Sequence, residues 1–133
     1  MKRFIISSLI FALSATSTYA KATYEDEQNV ALQGTITWVK AYGPPNYGET
    51  PKIDKQIKYP AVTLKEGFYF KNTSGFGNDE PNVKTLQLVP NGEQDYGDFP
   101  RSGCVVVKGN LFAAETANHY TPVLIQGTAK PCK

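Results

Sequence analysis

Few side chains in this 133-residue chain are suited to chemistry. Its one histidine, His119, stands between two β-like stretches and is flanked by Thr116, Asn118, Tyr120 and Thr121. An imidazole in that setting is either a metal ligand or acid–base group, or it bonds a neighbouring backbone group and fixes the turn. A single histidine completes a tetrahedral zinc site only with carboxylate or cysteine help. Nucleophilic catalysis needs a Ser, Cys or Thr beside a base, yet Ser74 and Ser102 stand in loops with no companion and no G-x-S-x-G surrounds either. Glu93, Asp95 and Asp98 supply paired carboxylates, but without the spacing and terminal glutamate of a calcium loop, and they read as a solvated loop. No catalytic set, metal set or cofactor motif emerges.

The aromatic residues of the loops say more. Tyr42, Tyr47, Phe76, Tyr96, Phe99 and Tyr120 fall in or beside irregular segments. Tyrosine combines a rigid apolar face with a polar tip, which suits protein contacts and sugar stacking. Loop aromatics also plug the ends of small barrels, whereas Trp38 and Phe112, on strands, read as core. The candidate binding set is therefore Tyr42, Tyr47, His119, Tyr120 and Thr121.

The elements that must position these residues read as β throughout. Apolar segments are short, rich in β-branched or aromatic residues, and separated by Gly, Pro, Asn and Asp clusters. The expected strands are Val30–Lys40, Tyr59–Lys65, Phe68–Phe70, Val83–Pro90, Cys104–Phe112 and Thr121–Thr128. Leu32, Ile36, Trp38 and Lys40 share one face of the first strand. In the fourth, Val83, Thr85, Gln87 and Val89 oppose Lys84, Leu86 and Leu88. Residues 41–51 and Asn72–Asn82 are expected loops, and Asp79–Lys84 or Leu111–Asn118 has room for one helical turn. Gly34 and Gly109 interrupt the first and the penultimate strand, which suggests a small, highly curved sheet closed on itself. The expected fold is all-β, a five- to six-stranded OB-like Greek-key barrel over residues 23–133, without internal repeats.

Residues 1–20 carry Lys2 and Arg3, then the apolar run Phe4–Leu13, then small residues up to Ala20, the order of a cleavable signal peptide. The apolar run is about half of what a membrane-crossing helix needs. Cleavage after Ala20 or after Ala22 both satisfy the small-residue rule. Lys2 and Arg3 account for the formal excess of +2, so the remainder holds 12 basic against 12 acidic residues, and no basic patch for nucleic acid is visible. In an oxidising compartment Cys104 and Cys132 are expected to form a disulfide. A periplasmic or secreted location follows from the leader.

Three stretches carry a resemblance: Leu32–Trp38 (LQGTITW), Gly43–Tyr47 (GPPNY) and Val107–Ile125, which contains VKGNLF and TPVLI. Together with the Gln-Leu strand at Leu86–Val89 they resemble domain-of-unknown-function family 4431, small exported bacterial proteins. That family shows Gly-His-His-His-Thr where this chain has Ala117-Asn118-His119-Tyr120-Thr121, so no role needing several histidines carries over. The resemblance implies fold and compartment and no activity. The resulting expectation is a non-catalytic periplasmic binding protein for a glycan or an envelope protein. An inhibitor or immunity protein using the loop Asn72–Asn82, and a metal-dependent enzyme around His119, are the alternatives.

Overall fold

The computed structural model describes Ile10 and residues 21–133; the expected leader, residues 1–20, lies otherwise outside the described residues. Six strands form one sheet: β1 (Thr23–Glu25), β2 (Asn29–Tyr42), β3 (Gln56–Lys71), β4 (Glu80–Pro90), β5 (Gly103–Ala113) and β6 (Val123–Pro131). β2, β3 and β4 follow one another as antiparallel neighbours, and β5 returns to lie beside β2. That is the spatial order of a Greek key. β6 then pairs antiparallel with β5 and parallel with β4, so the pairings run β2–β3–β4–β6–β5 and back to β2 as a ring. The all-β, OB-like expectation takes this form.

β2 makes the ring possible. Its residues Gly34–Ile36 are paired at once with Ile36-facing Val62 to Leu64 on β3 and with Gly103 to Val105 on β5. A strand shared in this way must bend sharply, and a Cβ at Gly34 would stand 2.5 Å from the Thr63 carbonyl oxygen. A second close approach joins β5 to β6, where Gly109 faces Gly127. A Cβ on Gly127 would collide with the Lys108 carbonyl and lie 2.7 Å from the Gly109 Cα. The expected interruption of the penultimate strand thus has a partner glycine across the ladder.

Several boundaries move. Tyr59–Lys65 and Phe68–Phe70 are parts of one 16-residue strand, because the register slips between Thr63 and Phe68 and the chain continues through the bulge at Gly67. Val83 packs in the core with Leu86 and Leu88, whereas Thr85, expected to share its face, is exposed. Asp79–Lys84 holds no helical turn; most of it is β4, and a 3-10 turn stands instead at Tyr96–Asp98. Thr121 precedes β6 rather than opening it, and Tyr42 closes β2 rather than standing in a loop. β1, which composition did not signal, pairs parallel with Tyr69–Lys71.

The ring is filled by aliphatic side chains, among them Ile36, Val62, Leu88, Leu111 and Ile125, each at most 1% exposed, and by Phe70. Phe99 comes in from the loop after β4 as a core plug, as loop aromatics were expected to do. Trp38 packs against this core while remaining half-buried, whereas Phe112 faces outward to His119. Cys104 and Cys132 form a disulfide with Cα atoms 5.4 Å apart, and the Cys132 amide donates to the Cys104 carbonyl (3.1 Å). The bridge pins the end of the chain to the start of β5.

Leu88→Ala is expected to cost about 2–5 kcal/mol, because it empties a fully buried position. Replacing both cysteines by serine removes a bridge spanning 28 positions and is expected to cost roughly 3 kcal/mol. Urea unfolding of the two variants against the parent measures both.

Candidate functional site

Two loops meet at one end of the ring: residues 43–55, joining β2 to β3, and residues 114–122, joining β5 to β6. The first is rich in Pro and Gly and has no ladder of its own, so its backbone amides need other acceptors. Asp54 supplies them. One carboxylate oxygen accepts from the Asn46 amide (2.8 Å) and the Thr50 hydroxyl (2.9 Å), the other from the amides of Gly48 (2.8 Å) and Thr50 (3.0 Å). Asp54 is 7% exposed. Burial pushes its carboxyl up, but the amides of Asn46 and Gly48 with the hydroxyl and amide of Thr50 together hold it below the ordinary value.

The anchored loop presents Tyr47. Its φ is 51°, the left-handed region that a bulky side chain rarely occupies. Gly48 follows at φ 104° and lies against the ring of Tyr42. Tyr42 is 37% exposed, at the lip of the site.

Gln87 fixes the second loop from below. Its side-chain oxygen accepts from the Tyr120 amide (2.6 Å), its side-chain nitrogen donates to the Asn118 carbonyl (3.0 Å), and its backbone amide donates to the Thr121 hydroxyl (2.9 Å). Thr121, buried, passes its own proton to the Val123 carbonyl (2.7 Å). His119 turns back on its own loop. Its Nδ1 accepts from the amides of Glu115 (2.9 Å) and Thr116 (3.3 Å), which leaves the ring proton on Nε2, and its ring stands edge-on to Phe112 at 5.3 Å. Of the two readings open for His119, this geometry is the turn-fixing one. Among the described residues no group of three or more His, Cys, Asp or Glu side chains comes together as metal ligands.

Tyr120 ties the loops together. Its ring stacks on Tyr59 of β3, centroids 4.7 Å apart and planes 9° from parallel, and its hydroxyl donates to the Tyr42 carbonyl (2.9 Å). Burial, then the neighbouring phenols of Tyr47 and Tyr59, push the Tyr120 hydroxyl above its ordinary value. Of the five expected site residues, Tyr47 and Tyr120 therefore come together with Tyr59, Tyr42 offers its backbone carbonyl to Tyr120 and sets its ring beside Gly48, and His119 and Thr121 spend their polar atoms on the backbone that carries Tyr120. Three residues that complete the arrangement were not singled out from sequence. Tyr59 was counted as strand, Gln87 as one position in an alternating strand, and Asp54 was given no role; the signal available for it was an acid just after the N-Y-G-E-T run whose amides it accepts from.

An all-β Greek-key ring with two cross-braced loops defines the architectural class. Within it, residues 85–129, from β4 into β6, match a family described as Domain of unknown function (DUF4431), which places the resemblance on the segment containing Val107–Ile125 and Gln87. No curated protein and no solved structure matches the chain. The described residues contain no helix long and apolar enough to cross a membrane.

The depressed Asp54 carboxyl fixes a pH dependence. Its contribution to stability is fully present above the unfolded-chain value near 4 and is lost as pH falls through the lower folded value. Asp54→Asn is expected to melt lower than the parent at pH 7, and the gap should close in acid. Melting curves from pH 7 down to pH 2.5 test this; a gap independent of pH contradicts the assignment.

Proposed function

We propose that the chain is an exported, non-catalytic binding protein of the bacterial periplasm, holding its ligand on the surface formed by Tyr42, Tyr47, Tyr59 and Tyr120. Export is supported by the signal pattern of residues 1–20 and by the Cys104–Cys132 disulfide, which suits an oxidising compartment. His119 and Thr121 serve the site by positioning Tyr120.

The single observation that carries the reading is Tyr47. A bulky residue at φ 51° costs on the order of 1–2 kcal/mol, and the cost is borne where the rings of Tyr47, Tyr59 and Tyr120 gather beside the end of β2. Backbone strain concentrates at functional sites, and these rings are held in place before any ligand arrives, which lowers the entropy lost on binding. Flat phenol faces with hydroxyl tips suit a saccharide. Tyr47→Asn places in the left-handed region a residue that tolerates it. The variant is expected to melt at or above the parent temperature while losing co-sedimentation with purified peptidoglycan sacculi; unchanged co-sedimentation would speak against the tyrosine site.

A second reading, an inhibitor acting through the segment after β3, has its own support. Asn72 organises that loop: its side chain accepts from the Ser74 amide (3.0 Å) and hydroxyl (2.6 Å) and donates to the Phe76 carbonyl. Asp79 accepts from the Asn72 amide (2.7 Å), and Asp26 from the amide and hydroxyl of Thr73. Phe76 stands at the tip of this braced loop, 69% exposed, as an anchor for an enzyme cleft would. Pull-down from periplasmic extract with parent and Phe76→Ser separates the readings: a partner enzyme lost with Phe76→Ser and kept with Tyr47→Asn favours the inhibitor.

A further inference from the structure

We infer that a signal peptidase removes the leader between Ala20 and Lys21, because Lys21 and Ala22 belong to a latch that fastens β1 to the ring. This rests on the export reading above and adds the first residue of the exported chain. Thr18 and Ala20 are the small residues before the first possible cut, Ala20 and Ala22 those before the second, so the local sequence permits both. In the chosen step water adds across the Ala20–Lys21 peptide bond, leaving a carboxylate on Ala20 and an amino group on Lys21.

The two cuts differ in what they leave of the fold. β1 is three residues long, and its ladder is the parallel pairing of Thr23–Glu25 with Tyr69–Lys71. That ladder begins one residue before the strand, where the Tyr69 amide donates to the Ala22 carbonyl (2.9 Å). One residue earlier still, the Lys21 ammonium donates to the Pro81 carbonyl of β4 (2.7 Å). Ala22 thus ties the start of β1 to β3, and Lys21 ties it to β4. What they hold in place is Tyr24, the β1 side chain that packs against the core, its ring edge-on to Phe68 at 5.0 Å.

A cut after Ala22 takes both bonds away. The Tyr69 amide loses its acceptor, the new ammonium falls on Thr23, the register partner of Tyr69, and Tyr24 is left one residue from the chain end. The first residues of a chain fray unless something ties them down. A cut after Ala20 keeps both bonds and places the new ammonium on Lys21, an exposed residue ahead of the ladder. The peptidase acts on an unfolded chain and reads only the residues around the bond, so the fold does not steer the cut. Of the two products that the sequence permits, the one starting at Lys21 has a complete first strand.

The test is export of the full chain, leader included, in a Gram-negative host, followed by N-terminal sequencing and intact mass of the protein recovered from the periplasm. The expected first residues are Lys-Ala-Thr-Tyr. A chain starting Thr-Tyr-Glu-Asp overturns the site and leaves export standing, whereas an uncut chain retained in the cytoplasm overturns the export reading and the site with it. Ala22→Leu puts a bulky residue directly before the second cut alone and keeps the backbone carbonyl of position 22. It should be processed like the parent, and accumulation of uncut precursor overturns the assignment. The latch is tested on chains 21–133 and 23–133, each released from a cleavable fusion so that it starts at the stated residue. The shorter chain should melt about 3–6 °C lower, through the lost ladder bond and the fraying of β1 behind it. Lys21→Ala in the longer chain keeps the Ala22 carbonyl and should melt close to its parent. Equal melting of the two chains overturns the latch.

Discussion

β2 cannot be straight and still do what this fold asks of it. Gly34–Ile36 lie between β3 and β5 and pair with both, so the strand bends where it passes from one partner to the other. The close approach of the Thr63 carbonyl at Gly34 leaves no room for a side chain at the inner side of that bend. From this constraint the rest follows. Once β2 carries β3 along one edge and β5 along the other, β4 and β6 need only pair with each other to complete the ring, and they do so in parallel from Gln87–Pro90 to Leu124–Gly127. The facing glycines Gly109 and Gly127 let β5 and β6 come close enough for that closure.

The ring decides where the loops go. Closing β4 against β6 brings Gln87 directly under residues 118–121, and a buried side-chain amide with both ends satisfied becomes a rigid post for a loop that has no ladder of its own. The end of β2 and the start of β3 deliver residues 43–55 to the same end, where Asp54 does for that loop what Gln87 does for the other. The two loops then lock through Tyr120, which stacks on β3 and donates to the last residue of β2. The rings at this end are thus held by the buried polar side chains of Asp54 and Gln87, which brace the loops that carry them.

The electrostatics of this end are legible only at the level of pairing. The chain without its leader is balanced in charge, and Lys40 and Lys58 are 18 positions apart, so composition and spacing give no hint that they meet. Register sets them opposite each other. A like-charge cross-strand pair lowers the stability of the protein, as does the left-handed backbone of Tyr47. Both are local costs at the same end of the ring.

Sequence by itself determined the all-β class, the positions of most strands, the glycine-marked curvature and the disulfide, because alternation, turn residues and cysteine count are local signals that pairing does not alter. It carried the leader pattern as well. What only the tertiary structure decided were the roles that depend on a partner far away in the chain. His119 was chemically ambiguous until the amides of Glu115 and Thr116 were seen on its ring nitrogen. Gln87 was one residue of a strand until β6 brought the last loop over it, and Val83 was one residue of an alternating strand until packing put it in the core. Asp54 and Lys58 owe their meaning to what stands opposite them. A side chain's type fixes what it can bond; only the ring fixes what it meets.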